Sequence, residues 1–277
     1  MLRLTAFVLT VCALAGNASA QTVDAIKASG KLKIGYRLDA VPFSYKNDSG
    51  QPAGYTVDLC RLIAEGVRRS LNLKALDITY VPVSTEERFE AVRSKKIDML
   101  CGATTVTLSR RELVDFSVLT FFTGASVMLR AGGPASFSAL AGKTIAVRTG
   151  TTTENALTAT LKNEGIAAKV VGVKDHAEGA ALLTAEKADA YFADQAILLW
   201  LAARAGQGKL VVSNSIFRPE PYAIALPLGD TQFRLLVDTQ LSAIYQSEAI
   251  LNTFKWNLGA ELPQVLRTMY LLNALPK

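Results

Sequence analysis

The stretch DITYVPVSTEERFEAVRSKKIDMLCG, residues 77–102, carries the signals of a strand, a helix and a second strand in that order. Residues 77–83 and 97–102 are short runs rich in β-branched and apolar side chains, as is typical of strands. Between them, Ser84 is followed three residues later by Glu87, and this spacing forms a capping box at the start of a helix. A strand, a helix and a strand in succession favour a parallel pair, so the stretch indicates an α/β protein with largely parallel sheets.

The same alternation continues on both sides of this unit. Upstream, residues 31–37 form a strand-like run, and residues 55–71 carry apolar side chains at helical spacing. Downstream, a second α/β series begins after Gly124, and the chain is extended again from Tyr222 to Leu226 before long helices fill much of the remainder. The second series contains predicted strands at 125–130, 144–148, 169–173, 190–193 and 210–213, and predicted helices at 153–163, 175–187 and 195–205.

The first twenty residues predict export. Arg3 precedes an apolar stretch from Leu4 to Ala15, and the small residues Ala18 and Ala20 match a signal peptidase site. We therefore expect a signal peptide over residues 1–20, cleaved after Ala20, and a periplasmic mature protein. No later apolar run approaches the roughly 18–20 residues of a membrane-spanning helix, so the mature chain is expected to be soluble.

Composition excludes several classes of protein. The apolar fraction of 50% and the charged fraction of 19% are those of a globular chain. The formal charge of +6 suits an anionic ligand, and the dispersed basic residues argue against nucleic-acid binding. Cys60 and Cys101 remain after processing; an oxidising compartment permits them to pair, and the sequence leaves open whether they do. Two separated cysteines and one histidine predict no metal site, and no cofactor is expected.

Five segments carry a resemblance to a known family. They are VPFSY (41–45), GYTVDL (54–59), IDMLCGATT (97–105), SRRELVDFS (109–117) and LAGKTIAVRTGTT (140–152). Each is weak alone, but together they resemble, in order and over essentially the whole mature chain, the family 3 periplasmic amino-acid-binding proteins. Arg37, Arg88 and the run Lys174-Asp-His176 resemble more narrowly the glutamate/aspartate-binding branch.

The resemblance implies a type II periplasmic-binding-protein fold. Two α/β lobes would be joined by two crossing strands, with lobe 1 formed by residues 21–124 and 218–277 and lobe 2 by residues 125–217. The ligand would bind in the cleft between the lobes of a monomeric, non-enzymatic protein. An inner-membrane ABC permease would then receive it.

The ligand's α-carboxylate needs several donors. Arg110 is suited to this role because a guanidinium offers two parallel charge-assisted bonds, and the family places its matching arginine there. Thr105 would add a hydroxyl donor. Thr151 and Thr152 lie where a strand gives way to a helix, where an anion meets backbone N–H groups. The threonines could equally be helix-capping residues.

The ligand's ammonium group needs an acceptor, and the resemblance assigns this role to Asp194. This residue follows a predicted strand, and strand ends face the cleft in open α/β sheets. Asp194 could instead cap the helix that starts near Gln195. Ala103 stands where the glutamate/aspartate branch carries serine, so only its backbone carbonyl could contact the ligand.

The residues that contact the ligand's side chain would distinguish acidic from neutral amino acids. Arg37 and Arg88 are the expected specificity residues, and Thr85 and His176 resemble the branch's additional donors to a distal carboxylate. Three arginines in the cleft against one aspartate suit a ligand with two carboxylates and one ammonium, because a neutral amino acid would leave a cation unpaired. The sequence therefore favours glutamate or aspartate.

Three alternatives remain open from the sequence. Periplasmic cyclohexadienyl dehydratases resemble these proteins, and His176 or Glu154 could serve such an enzyme as a general acid or base. A neutral amino acid such as glutamine is a second possibility. A membrane receptor in place of a permease is a third.

Overall fold

The structure is a computed structural model that describes residues 21–134, 136–206 and 208–276. The predicted signal peptide and its cleavage site lie outside these residues, apart from Gln21, which would be the first residue of the mature chain. Within the described ranges, no helix has both the length and the apolar character needed to cross a membrane.

The described chain alternates strands and helices along its length. The strands are β1 (Lys31–Tyr36), β2 (Asp39–Ala40), β3 (Ser44–Lys46), β4 (Pro52–Ala53), β5 (Asp77–Pro82), β6 (Met99–Cys101), β7 (Asp115–Arg130), β8 (Thr144–Arg148), β9 (Lys169–Val173), β10 (Ala190–Asp194), β11 (Leu210–Val212) and β12 (Arg218–Leu226). The helices are α1 (Thr22–Ser29), α2 (Tyr55–Ser70), α3 (Arg88–Arg93), α4 (Leu108–Arg111), α5 (Thr152–Asn163), α6 (His176–Thr184), α7 (Gln195–Arg204), α8 (Thr231–Tyr245), α9 (Glu248–Leu258) and α10 (Gln264–Asn273).

Most strands of the described chain belong to one large sheet, in the order β5-β1-β6-β12-β7-β10-β8-β9, with β11 paired to β7. On one side, β1 runs parallel to β5 and β6, and on the other β8 runs parallel to β9 and β10. The two parallel groups are joined through the antiparallel pair of β7 and β12. The α/β fold with two parallel groups and two crossing strands is therefore confirmed.

The crossing strand β7 is longer than the sequence predicted. The prediction began at residue 125, whereas β7 starts at Asp115 and continues without interruption to Arg130. Most of its side chains are buried or half-buried on both faces. The alternation of polar and apolar residues that marks a half-buried strand is therefore missing over its first half.

Of the capping box predicted at Ser84 and Glu87, the bond to the Ser84 hydroxyl forms, but it closes a turn that precedes the helix. The amide of Glu87 donates to the Ser84 hydroxyl at 3.1 Å, and the helix α3 begins only at Arg88. At α6, by contrast, the Asp175 carboxylate caps the helix by accepting from the amide of Glu178 at 2.7 Å. Side-chain capping thus fixes the start of α6, whereas beside α3 it fixes only the preceding turn.

An aromatic cluster packs under the crossing strands. The ring of Phe43 lies 4.7 Å from Phe121 and 5.2 Å from Tyr222, both nearly edge-on, and Tyr55 and Phe254 complete the cluster. Pairs in this geometry each contribute about 0.5–1.5 kcal/mol beyond the area they bury. The cluster gives the crossing strands a rigid base.

The two mature-chain cysteines form a disulfide. The sulfur atoms of Cys60 and Cys101 are 2.02 Å apart, and the bond joins α2 to β6. The pairing that the sequence left open is therefore present.

Candidate ligand-binding site

Nine of the ten residues expected at the site line one cavity. The exception is Thr85, which is buried but does not line it. The cavity has a volume of about 20 Å³, room for about one water molecule. An amino acid would therefore require its walls to separate. The lining residues are Arg37, Ala40, Arg88, Ala103, Thr105, Arg110, Thr151, Thr152, His176, Asp194 and Ile197.

The cavity lies where parallel strands end. Arg37 follows β1, Ala103 follows β6, Thr151 follows β8, His176 follows β9, and Asp194 is the last residue of β10. Carboxyl ends of neighbouring parallel strands meet at one edge of a sheet, which is where open α/β sheets bind ligands. Residues that are far apart in sequence are brought together for this reason.

One end of the cavity is rich in cations and holds two residues that the sequence prediction missed. The Arg37 guanidinium lies 2.5 Å from the Asp39 carboxylate, which is also 3.2 Å from Arg148. Arg148 in turn lies 3.3 Å from Glu86 at the rim. Burial alone would raise the pKa of Asp39, but Arg37, His176 and Arg148 together outweigh it and the pKa is lowered. Asp39 thus neutralises part of the positive charge there.

Arg88 is a buried cation without an anionic partner. Only 3% of the residue is exposed, its Nη1 donates to the backbone carbonyl of Thr85, and its Nε has no partner. The guanidinium lies 4.7 Å from the centre of the Phe89 ring, and no carboxylate within the described ranges forms an ion pair with it. Burial and the neighbouring Arg110 lower the pKa of Arg88. The buried hydroxyl of Thr85 also lacks a partner, so two donors at this end remain unpaired.

His176 is held neutral by burial and oriented by Tyr191. Its Nδ1 lies 2.6 Å from the Tyr191 hydroxyl, and burial lowers its pKa to about 4. Burial raises the pKa of Tyr191 well above its usual value, so the phenol keeps its proton. A phenol that keeps its proton donates a hydrogen bond to Nδ1, and the hydrogen of the neutral ring is then on Nε2, which is a donor. This is the tautomer that a ligand carboxylate requires.

The opposite side of the cavity offers donors from Arg110 and a helix start. Arg110 Nη1 donates to the backbone carbonyl of Thr105 at 2.8 Å, which fixes the guanidinium. The Thr151 hydroxyl caps α5 by accepting from the Glu154 amide at 3.1 Å. Because the first backbone N–H groups of a helix have no partner inside it, the start of α5 at Thr152 can bind an anion.

Glu220, on the crossing strand β12, contacts this region and was missed by the sequence prediction. It is completely buried, and its Oε2 accepts from the hydroxyls of Thr105 at 2.5 Å and Thr152 at 2.7 Å. With these hydroxyls engaged, backbone N–H groups and Arg110 are the donors left for a ligand carboxylate. Alternation along β12 places Arg218, Glu220 and Tyr222 on one face, and this pattern was the available signal.

Asp194 stands at the N-cap position of α7, but its side chain makes no capping hydrogen bond. Simple helix capping therefore does not explain this carboxyl group. Its Oδ1 is buried without a partner. Burial, reinforced by the nearby Glu220, raises the pKa of Asp194 to about 8. A cation placed beside it would restore the ionised form.

Metal binding finds no support in the part of the chain that the structure describes. No group of three or more histidine, cysteine, aspartate or glutamate side chains there is arranged to hold a metal ion.

The chain resembles known solute-binding proteins. Residues 32–257 match the model of the bacterial extracellular solute-binding proteins, family 3. The L-glutamate/L-aspartate-binding protein of Pseudomonas aeruginosa is 31% identical over 239 residues, covering 85% of this chain and 79% of that protein. The glutamate/glutamine/aspartate/asparagine-binding protein of Rhodobacter capsulatus is 31% identical over 238 residues, covering 84% and 69%.

A solved structure agrees with these relatives. The ancestral amino-acid-binding protein described as a precursor of cyclohexadienyl dehydratase superposes with a TM-score of 0.75 at 25% identity, covering 86% of this chain and all of that one. The relatives are named as binding proteins, which confirms the prediction of a non-enzymatic protein on a type II periplasmic-binding-protein fold. The chain belongs to the bacterial extracellular solute-binding proteins of family 3.

Proposed function

We propose that this protein is the periplasmic substrate-binding component of an amino-acid ABC transporter, and that it closes around glutamate or aspartate. The observation that carries the acidic preference is the buried guanidinium of Arg88, which has no carboxylate partner among the described residues. A buried unpaired charge costs several kcal/mol. The distal carboxylate of a dicarboxylic amino acid supplies the missing partner.

The other two charged groups of the ligand have their own places. The α-carboxylate would bind Arg110 and the N–H groups at the start of α5. The ammonium group would bind Asp194, whose buried Oδ1 has no partner. The cation-rich end with Arg37, Arg88 and the neutral donor His176 would receive the distal carboxylate.

Formal charges around the cavity support an anionic ligand. Sequence reasoning counted three arginines against one aspartate, whereas the structure adds Arg148, Asp39 and Glu220. Four arginines against three carboxyl groups leave one positive charge. Two further residues of opposite charge, Arg218 beside Glu220 and the exposed Glu86 beside Arg148, do not change this balance. Glutamate and aspartate each carry one net negative charge, so either would neutralise the site. Glutamine or asparagine would not.

The names of the relatives do not distinguish between ligands with an acidic side chain and ligands with an amide side chain. One relative is named for glutamate and aspartate alone, and the other is named also for glutamine and asparagine. An amide can accept one hydrogen bond from Arg88 but cannot neutralise it. We therefore expect the acids to bind more tightly here.

Closure would occur about the crossing strands. Residues 124/125 and 217/218 are the proposed lobe boundaries, and the register supports them because Arg218 lies directly opposite Ala125 in the ladder. The ion pair of Arg148 with Asp39 and the 3.3 Å contact of the Thr105 and Thr152 hydroxyls then join the two lobes. Ligand contacts made by both lobes stabilise the closed form relative to the open one.

Isothermal titration of the ligand-stripped mature protein tests the proposal. Glutamate, aspartate, glutamine and asparagine are titrated into the wild type, into Arg88→Gln and into the control Arg93→Gln, which changes an exposed arginine on the same helix. We expect Arg88→Gln to weaken glutamate binding about 100-fold or more and glutamine binding far less. The control should match the wild type. A wild type that prefers glutamine would overturn the acidic assignment.

A further inference from the structure

Two arginines of the cavity share one aromatic ring. The guanidinium carbon of Arg88 lies 4.7 Å from the centre of the Phe89 ring, and that of Arg110 lies 5.1 Å from the same centre. Both distances are within the roughly 6 Å over which a guanidinium is attracted to the electron-rich face of an aromatic ring. A single side chain therefore interacts with both arginines that we assign to the ligand's carboxylates.

The ring holds these two cations in a way that a carboxylate could not. Within the described ranges neither Arg88 nor Arg110 forms an ion pair, whereas Arg37 is paired with Asp39. A carboxylate would cancel the charge of its arginine and occupy N–H donors, but the face of a ring has no lone pair and does neither. Phe89 thus leaves both guanidiniums charged and able to bind a ligand.

The ring itself is anchored in the core. Phe89 is the second residue of α3, is half-buried, and packs against an apolar cluster that includes Val83 and Val92. Burial and the neighbouring Arg110 lower the pKa of Arg88 to about 8, because two like charges lie close together here. A fixed ring that attracts both cations opposes this repulsion and holds each of them in place.

We propose that Phe89 is a positioning residue: its ring sets the spacing of Arg88 and Arg110, and with it the separation of the two ligand carboxylates that the cavity accepts. The inference rests on the proposed function, in which these arginines bind the distal carboxylate and the α-carboxylate. Glutamate is one methylene longer than aspartate, so its carboxylates lie farther apart. A fixed spacing of the two guanidiniums fits one of these ligands better than the other, and Phe89 determines that choice.

Titration calorimetry with glutamate and aspartate tests the role of the ring. Phe89→Met keeps an apolar side chain that suits a helix but removes the aromatic face, whereas Phe89→Tyr keeps the ring. A trifluorinated phenylalanine incorporated at position 89 keeps the shape and withdraws electron density from the face. The matched control is the same fluorinated residue in place of Phe116, which packs in the same cluster; no arginine of the described ranges lies over its ring.

We expect the wild type to prefer one of the two ligands, and Phe89→Met to weaken that ligand about tenfold and to lose most of the preference. The fluorinated ring should weaken the preferred ligand about three- to tenfold, and Phe89→Tyr should keep both affinities within about twofold of the wild type. The fluorinated control should match the wild type. Thermal denaturation checks that each variant is folded, and the fluorinated protein provides the test if Phe89→Met is not.

Three results would overturn the inference. A wild type that binds glutamate and aspartate equally would show that the cavity imposes no spacing on the carboxylates. An equal loss for both ligands in Phe89→Met would show that Phe89 acts by packing alone, and so would unchanged binding by the protein with the fluorinated ring at position 89. A wild type that binds neither ligand would instead contradict the proposed function, so the two failures are distinguishable.

Discussion

Ligand binding should release a proton from Asp194. Burial and Glu220 raise the pKa of this carboxyl to about 8 in the empty protein. At pH 7 the protonated form would then exceed the ionised form about tenfold. Because an ammonium group binds the ionised form, roughly 0.9 of a proton should leave for each glutamate bound.

The same linkage fixes the direction of the pH dependence. A carboxyl group that must ionise to bind a cation makes binding weaker as pH falls below its pKa. Between pH 7 and pH 6, where Arg88 with its pKa lowered to about 8 stays mostly protonated, the Kd for glutamate should rise about tenfold. His176, with a pKa lowered to about 4, does not titrate in this window.

Titration calorimetry at pH 7 in phosphate and in Tris measures the released proton, because the two buffers have small and large heats of ionisation. The observed enthalpies should differ by about 0.9 of the difference between those heats. Glutarate provides the control, since it carries no ammonium and leaves Asp194 protonated. A Kd for glutamate that is constant from pH 6 to pH 8, with equal enthalpies in both buffers, would refute the reasoning.

Two further outcomes follow from contacts in the structure. The disulfide Cys60–Cys101 closes a loop of 41 residues, so its reduction should lower the free energy of unfolding, measured by urea denaturation, by about 2–4 kcal/mol. A double cysteine-to-serine variant should not respond to reductant, and an unchanged urea midpoint in the reduced wild type would contradict the prediction. Arg148→Met should open the ligand-free protein and weaken glutamate about tenfold, because it removes the contact with Asp39 while Arg37 still neutralises that carboxylate. Small-angle X-ray scattering without ligand should show a larger radius of gyration, and an unchanged radius and affinity would count against a cross-lobe role.

The position of the cavity could be predicted from the sequence because the charged and hydroxyl side chains that line it follow predicted strands. Arg37, Thr151, His176 and Asp194 each lie at or just after the carboxyl end of a predicted strand, and the parallel arrangement brings those ends together. The spacing of apolar residues in the sequence predicts the strands, and their parallel order in the sheet predicts that their carboxyl ends lie together. The location of these residues could therefore be argued before any coordinates were known.

The charge balance could not be obtained in this way. Asp39 lies only two residues after Arg37, and Arg148 is the last residue of β8, yet nothing in the local sequence shows that Asp39 and Arg148 lie 3.2 Å apart. Whether an arginine faces a ligand or a carboxylate of its own chain depends on tertiary contacts. The count of free cations from sequence was too high for this reason.

The unpaired groups also determine how a ligand can lie in the cavity. Arg88 lacks an anionic partner, while Asp194, which also lines the cavity, has a buried oxygen without a hydrogen-bond partner. A reversed ligand would bring ammonium to arginines and carboxylate to acids, so like charges would meet in a buried space. A plain dicarboxylate neutralises Arg88 but leaves Asp194 without a cation, whereas a neutral amino acid pairs with Asp194 but leaves Arg88 without an anion. Only a ligand that brings a carboxylate to Arg88 and an ammonium group to Asp194 pairs both residues. The unpaired groups, more than the number of arginines, therefore indicate an acidic amino acid.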